Sequence, residues 1–295
     1  GFRSYETRCV LKAKLENGLT VLVTHFGLNP DEQENAVKTV LSVLEDEKCV
    51  LMGDFNVEPD NEVLLPIRAR MRDAADVVWE EGYRQPFIRE LGAGTLPRDT
   101  FAFYLIQDEL YLNDYAKVHA LAVTKTDDNE VMAFMAQVQH AIFHVEKTLH
   151  NEYLASFGIT AQDMRDARQS AFARAYTANM LATAYGEDLI DILVAVLPCA
   201  WVYADYGQRL AREFTGTLDS NPYRSWIDTY RTDEFWQSSV WLIEHIESIA
   251  DTLDEPRKRR LVEHFVRGVE YEYMFWASAY DHQMSWRPEW NGLAG

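Results

Sequence analysis

Apolar residues recur at intervals of three and four along most of the chain, from about residue 65 to the end. This spacing places them on one face of an α-helix, so it predicts helices throughout this part. Loop-forming glycine, proline and asparagine punctuate the pattern at 92–94, 158, 186, 216, 221–222 and 256. We therefore predict seven or more helices, with Pro97 and Pro256 in the first turns of two of them, where proline loses no hydrogen bond.

Three of the predicted helices carry one reactive group each on an apolar stripe. Asp108 is the single acid on the stripe after Pro97, and Glu272 lies alone among apolar neighbours on the last long helix. Cys199 lies on a third stripe, directly after Pro198, which interrupts the helical hydrogen bonds. Because an unpaired buried carboxylate is costly, two inward-facing acids indicate a shared polar cavity. The alternatives are acids that clamp neighbouring helices and an inert core cysteine.

The first 65 residues follow a different pattern. Residues 9–15 and 19–24 are short strand candidates on either side of Asn17-Gly18, a strong hairpin turn signal. An amphipathic helix follows, with its apolar stripe at Val37, Val40, Leu41 and Leu44. The apolar run at 49–52 then predicts a buried strand, so the expected order is strand, strand, helix, strand.

Aromatic residues mark the same division of the chain. Only four of them precede residue 70, whereas all eight tryptophans follow Ala75. A chain of 295 residues with 47% hydrophobic residues is long enough for one or two globular units. We therefore predict a mainly α protein, with a small truncated α/β segment over residues 1–65 and an all-helical domain over residues 66–295.

Composition narrows the possible partners and the compartment. The formal net charge of −19 repels nucleic-acid phosphates and anionic lipids, so we expect neither as a partner and favour a neutral or cationic small molecule. The longest apolar stretch, 192–204, is shorter than the roughly 20 residues that span a bilayer. Cys9, Cys49 and Cys199 lie far apart without metal-ligand spacing, which favours free thiols in the cytoplasm.

Four motifs of the helical part occur in a specific order. They are YLIQDELYL at 104–112, LPCAWVY at 197–203, NPYRSWIDTY at 221–230 and YEYMFW at 271–276. Together they closely resemble TenA, the thiaminase II family, over residues 75–290, and Pro198-Cys199 is similar to its cysteine-containing subgroup. The resemblance implies a haem-oxygenase-like helical bundle, a homotetramer, and a role in thiamine salvage that needs no metal or organic cofactor.

The same resemblance implies a reaction and a set of site residues. The substrate would be thiamin or an aminomethylpyrimidine breakdown product, hydrolysed to hydroxymethylpyrimidine. Cys199 would add to the pyrimidine ring as nucleophile, Glu272 would transfer protons, and Asp108 would accept hydrogen bonds from the ring amino group. Four tyrosines match family positions that line the pocket: Tyr111, Tyr176, Tyr203 and Tyr230. A pyrimidine-binding or regulatory protein without catalytic activity is the alternative function.

Two short motifs of the N-terminal part suggest a second relationship. VTHF at 23–26 and MGDFN at 52–56 resemble part of the endonuclease/exonuclease/phosphatase superfamily, in which Asp54, Asn56 and His25 would lie at a metal-dependent phosphoesterase site. The metal-binding glutamate and the Ser-Asp-His motif of that superfamily are missing from this sequence. Because such hydrolysis needs the full ligand set, we predict an incomplete remnant, and phosphoesterase activity is the least favoured function.

A group of histidines and one acid could be mistaken for a metal site. His140 and His144 share one helix face, and Glu146 and His150 follow. The zinc-protease pattern requires glutamate directly after the first histidine, but Ala141 occupies that position. We interpret the histidines as ordinary helix residues and predict no metal site.

Overall fold

A computed structural model describes residues 8–15, 20–43, 49–56 and 67–292. The Asn17-Gly18 turn, Leu44 and the predicted boundary between residues 65 and 66 lie outside these ranges.

The N-terminal segment is a three-stranded sheet with one helix. Its elements are β1 (Val10–Lys14), β2 (Thr20–His25), α1 (Pro30–Val43) and β3 (Cys49–Asp54). Strand β2 lies in the middle, antiparallel to β1 and parallel to β3. A parallel pair requires a crossover connection, and α1 forms it. The predicted order of strand, strand, helix, strand is confirmed.

The core of this segment is small. Leu22, Phe26 and Val40 are buried and form its hydrophobic cluster, against which Val37 packs. The prediction of a buried third strand is wrong, because Met52 in β3 is 49% exposed. Leu41 of the predicted stripe is exposed as well. One helix covers one face of a sheet, so the other face needs a further layer to become a core.

Eleven α-helices form the described part of the second unit. They are α2 (Ile67–Arg84), α3 (Pro86–Ala93), α4 (Arg98–Val123), α5 (Asn129–Ala141), α6 (Lys147–Ser156), α7 (Ala161–Asp166), α8 (Ala171–Gly186), α9 (Leu189–Glu213), α10 (Arg224–Tyr230), α11 (Asp233–Ala250) and α12 (Glu255–Tyr280). A π-helical turn, Ile142–Glu146, joins α5 to α6. The prediction of seven or more helices is confirmed.

Helix ends follow local sequence chemistry. Asp254 caps α12 by accepting a hydrogen bond from the backbone of Arg257, and Pro256 lies in the first turn as predicted. Pro97 differs from the prediction, because it precedes α4 with an extended backbone (ψ 139°). Gly94 ends α3 with φ 74°, a left-handed conformation that glycine adopts without strain.

The predicted apolar stripes form the centre of the helical unit. The stripe residues of both helices are all buried: Phe101, Tyr104, Leu105, Asp108, Tyr111, Leu112 and Tyr115 on α4, and Leu261, Phe265, Val269, Glu272, Phe275, Trp276 and Ala279 on α12. Helix α9 is the one helix of the described ranges that is long and apolar enough to cross a membrane. However, 78% of its apolar window is buried inside the protein, which is typical of a core helix.

Helices α9 and α12 approach each other closely beside two of the reactive groups. A Cβ atom on Gly268 of α12 would lie 2.5 Å from Cγ of Pro198 in α9. Glycine at this position therefore permits a contact that a larger residue would prevent. Cys199 directly follows this proline, and Glu272 lies one helical turn after this glycine. The close approach therefore places the thiol and the carboxyl group near each other.

Candidate active site

The three reactive groups meet between helices α4, α9 and α12. Asp108 and Glu272 are buried, and Cys199 is partly exposed. The thiol group itself is enclosed by the surrounding helices, and this loss of contact with water raises the pKa of Cys199 well above its usual value. The Glu272 and Asp108 carboxyl groups raise this pKa further, and a hydrogen bond with Tyr111 lowers it. Without substrate, Cys199 is therefore a neutral thiol. A base must remove the proton of this thiol before the sulfur can act as a nucleophile.

Glu272 is a buried acid held by a hydrogen bond. Its Oε1 accepts a hydrogen bond of 2.8 Å from the hydroxyl group of Tyr176 on α8. Burial raises the pKa of Glu272 to about 8; the Tyr176 hydrogen bond lowers it and the Asp108 carboxyl group raises it. A carboxyl group with such a pKa takes up and releases a proton near neutral pH.

Asp108 lies in a network of buried hydroxyl groups. Tyr104 donates a 2.9 Å hydrogen bond to its Oδ2, and the Tyr104 oxygen lies 3.2 Å from the hydroxyl oxygen of Tyr203. The indole nitrogen of Trp226 donates to the same Tyr104 oxygen at 3.3 Å. Burial raises the pKa of Asp108, while His150 and Tyr104 lower it. Tyr104 thereby connects the carboxyl group to α9 and α10.

The four predicted tyrosines lie in the same cluster, and all are buried. Tyr111 packs on Tyr176 with ring centroids 5.2 Å apart. Tyr203 and Tyr230 pack edge to face at 4.8 Å. Burial raises the pKa of each of these hydroxyl groups well above its usual value, so they stay protonated as hydrogen-bond donors. The structure thus brings all seven predicted site residues together, and their chemical roles stay predictions.

Two further residues lie at this site, Glu146 and His150, which were not predicted from the sequence as site residues. Enclosure raises the pKa of Glu146 to about 7, and its carboxyl group makes a hydrogen bond with Tyr230. His150 is fully buried, with Nε2 3.4 Å from Oδ2 of Asp108. By contrast, His140 and His144 are exposed and their tilted rings contact each other, as expected of ordinary helix residues.

The sequence contained only a weak signal for these two residues. Glu146 ends the π-helical turn and His150 lies one turn further on, in α6. A π turn adds one residue to the helical repeat, so a periodicity of 3.6 read across it predicts the wrong face. Over the described ranges, no group of three or more histidine, cysteine, aspartate or glutamate residues is arranged to hold a metal ion.

The candidate residues of the N-terminal segment have a different setting. His25 and Asp54 end the parallel strands β2 and β3, so they lie side by side, with Nε2 3.9 Å from Oδ2. Both side chains are exposed. The side-chain amide of Asn56 donates a hydrogen bond to the backbone oxygen of Phe26. This bond connects the residues that follow β2 and β3.

Solved structures share the helical architecture. A protein described as a TenA family transcription regulator from Silicibacter sp. TM1040 superposes with a TM-score of 0.67 at 31% identity, covering 72% of this chain and 96% of that one. A TenA homologue from P. horikoshii OT3 has a TM-score of 0.64 at 29% identity, covering 74% and 99%. A haem-oxygenase-like domain from Shewanella denitrificans OS217 shares the fold, with a TM-score of 0.59 at 14% identity, covering 73% and 92%.

These similarities define a helical bundle of the haem-oxygenase-like class. Within that class, the chain belongs to the TENA/THI-4/PQQC family, whose model matches residues 72–282. The predicted resemblance of the helical part is therefore confirmed at the level of the family. The match begins after the N-terminal segment, whose resemblance to phosphoesterases stays a prediction.

Curated relatives with similar sequences are named aminopyrimidine aminohydrolases. The protein from Halalkalibacterium halodurans is 36% identical over 216 residues, which cover 73% of this chain and 96% of the relative. The protein from Helicobacter pylori is 34% identical, covering 70% and 94%. The protein from Bacillus subtilis is 32% identical, covering 71% and 87%.

Proposed function

We propose that this protein is an aminopyrimidine aminohydrolase of the thiaminase II type, which hydrolyses thiamin or its aminomethylpyrimidine breakdown products to hydroxymethylpyrimidine. The observation that carries the proposal is the cluster of Cys199, Glu272 and Asp108 among buried tyrosines. Membership of the family and the names of the similar relatives support it. An aromatic, largely apolar site with a few polar groups suits a flat heterocycle.

Substrate recognition begins at Asp108. Both of its contacts with Tyr104 and His150 involve Oδ2. In our proposal Oδ1 accepts a hydrogen bond from the ring amino group, which favours protonation of the ring. A protonated pyrimidine is the better electrophile for a thiolate. The rings of Tyr111 and Tyr203 lie beside the thiol and the carboxyl groups, where they can enclose the substrate.

Covalent catalysis follows at Cys199. Glu272 takes the thiol proton, and the thiolate forms a carbon–sulfur bond with the pyrimidine ring, whose electron pair moves to the protonated ring nitrogen. That electron pair then expels the amine or the thiazole, and Glu272 returns a proton where the leaving group needs one. Water adds to the exocyclic carbon and gives its proton to Glu272. The carbon–sulfur bond then breaks, the departing sulfur of Cys199 takes that proton back from Glu272, and hydroxymethylpyrimidine is released. The pKa of about 8 for Glu272 suits both directions of proton transfer.

Two properties implied by the family resemblance accompany this activity in our proposal. The chain assembles into a homotetramer of 34.1 kDa subunits and acts in the cytoplasm. Light scattering coupled to size-exclusion chromatography distinguishes a tetramer from a monomer or dimer.

The decisive experiment compares two cysteine variants. Purified protein is incubated with thiamin and with aminomethylpyrimidine, and hydroxymethylpyrimidine is measured by mass spectrometry. Cys199→Ala is expected to abolish turnover with an unchanged circular dichroism spectrum, because the nucleophile is lost and the helices are not. Cys9→Ala is the matched control, since Cys9 is an exposed free thiol on the separate N-terminal segment, and it is expected to keep full activity.

Two outcomes contradict the proposal. Full turnover by Cys199→Ala excludes the covalent mechanism. Tight binding of the pyrimidine with no product from the unmodified protein supports the alternative of a non-catalytic binding or regulatory protein.

A further inference from the structure

A fully buried histidine links the site to a row of charged residues on α4 and α6. His150 has no exposed surface. Its Nε2 lies 3.4 Å from Oδ2 of Asp108, and its Nδ1 lies 3.7 Å from Oε2 of Glu109. The imidazole ring therefore lies between two consecutive carboxyl groups of one helix, at distances that suit an ion pair.

The row continues toward the surface through Lys147. This lysine lies one turn before His150 on α6, forms an ion pair with Oε1 of Glu109, and lies 3.2 Å from the amide oxygen of Asn113. Positive and negative groups thus alternate from the outside inward, in the order Lys147, Glu109, His150, Asp108. Alternation of this kind stabilises every member in its charged form.

The charges that face His150 favour its cationic form. Burial alone lowers the pKa of His150, but Glu109 and Asp108 on α4 and Glu146 on the π-helical turn outweigh burial and raise it. Lys147 is the positive group on its own helix and is neutralised by Glu109. Burial raises the pKa of Glu109, whereas His150 and Lys147 bring it below its usual value. An imidazolium held by an ionised Glu109 is the resulting state.

Asp108 depends on that imidazolium. Burial raises the pKa of Asp108, and His150 is the strongest group that opposes burial, ahead of the hydrogen bond from Tyr104. The proposed function needs Asp108 as a carboxylate, because only the ionised form offers both oxygens as acceptors. A protonated Asp108 would lose affinity for the amino group of the ring.

We propose that His150 is a positioning residue for substrate recognition: held by Glu109, it keeps Asp108 ionised and orients its Oδ2, so that the remaining oxygen accepts the amino group of an aminopyrimidine. This inference rests on the proposed function. The site residues predicted from the sequence include neither His150 nor Glu109.

The test measures recognition separately from turnover. Hydroxymethylpyrimidine binding by calorimetry, and KM and kcat for aminomethylpyrimidine, are determined between about pH 5.5 and about pH 8, the range in which histidine charge changes. His150→Gln keeps a polar side chain but cannot carry a charge. His140→Gln is the matched control, since that histidine is exposed and lies outside the site.

We expect His150→Gln to weaken binding and raise KM by about tenfold or more at the acidic end, because the buried positive charge that opposes protonation of Asp108 is lost. The ratio of the KM of His150→Gln to that of the unmodified protein becomes smaller as the pH rises. At higher pH Asp108 is ionised even without His150, and His150 of the unmodified protein loses its own charge. Glu109→Gln gives a smaller change in the same direction. The His140→Gln control keeps a ratio of one throughout.

Several results overturn the inference. If His150 has only a structural role, His150→Gln lowers the melting temperature and the ratio of KM values does not vary with pH. That result, or an unchanged KM, contradicts the inference. If His150→Gln fails to fold, Glu109→Gln decides by the same criterion. Binding without turnover in the unmodified protein refutes the proposed function while leaving the pH-dependent ratio to support His150. Absence of pyrimidine binding overturns both.

Discussion

Two histidine–aspartate contacts of this protein have similar distances and opposite surroundings. His25 and Asp54 lie 3.9 Å apart at the end of the small sheet, with side chains 56% and 68% exposed. His150 and Asp108 lie 3.4 Å apart inside the helical unit, with side chains 0% and 6% exposed. Water screens the first contact, whereas the second acts in a low-dielectric interior. Enclosure therefore determines how strongly a histidine–aspartate pair influences the chemistry around it.

The enclosure itself differs between the two units because of their layers. The N-terminal sheet has one helix on one face, and Leu22, Phe26 and Val40 are its buried core. In the helical unit, α4, α9 and α12 are surrounded by further helices, so polar groups on their stripes are removed from water.

After loss of the nucleophile itself, the largest expected effect concerns the buried acid of α12. Glu272→Gln keeps the shape of the side chain but removes the group that carries the proton. We therefore expect kcat to fall by roughly 10²- to 10⁴-fold, the usual contribution of general acid–base catalysis. Steady-state kinetics with aminomethylpyrimidine measures this loss. A decrease of less than about threefold would mean that another group transfers the proton.

The same variant tests the cost of burying a carboxyl group. The pKa of Glu272 is about 8 in the folded protein, whereas the ordinary pKa of a glutamate side chain, which represents the unfolded state, is 4.5. The folded state therefore binds more protons between these values, so stability is present at low pH and is lost as the pH rises toward about 8. We expect the unmodified protein to lose roughly 1 to 3 kcal/mol relative to Glu272→Gln between about pH 5 and about pH 8. Urea unfolding of both proteins at each pH measures it, and parallel pH curves would contradict the expectation.

A moderate effect is expected from the contact that encloses the site. Gly268→Val places a side chain against Pro198, so α9 and α12 must separate, at a cost of about 1 to 3 kcal/mol typical of overpacking. Turnover is expected to fall as well, because Cys199 and Glu272 move apart. Gly186→Val is a suitable control, since a Cβ at Gly186 meets no atom within 4 Å. Equal stability of the two variants would show that the close approach is not needed.

The smallest effect is expected at the exposed pair. Asp54→Ala removes a solvent-screened contact, so the free energy of unfolding should change by less than about 0.5 kcal/mol. Hydroxymethylpyrimidine formation should be unchanged, because Asp54 lies on the sheet segment rather than among the site residues. A large loss of turnover in this variant would reverse the comparison between the two regions.

Much of the helical site could be predicted because its signals are local. Spacing of three and four residues places side chains on one helix face, and this alone selected Asp108, Cys199 and Glu272 as inward-facing groups. Contiguous motifs then indicated the family. Local patterns also predicted the order of β1, β2, α1 and β3, but not the exposure of Met52, since burial requires a covering layer from elsewhere.

The sequence by itself determined the helices, the polarity of their faces and the family, because each of these depends on residues close together in the chain. Tertiary structure alone decided that Trp226 reaches Tyr104, that Pro198 meets Gly268, and that a π turn rotates Glu146 and His150 into the site. These contacts join distant segments, and their energies arise only after packing has excluded water. For that reason a histidine that looks ordinary in the sequence lies at the centre of the proposed recognition of the substrate.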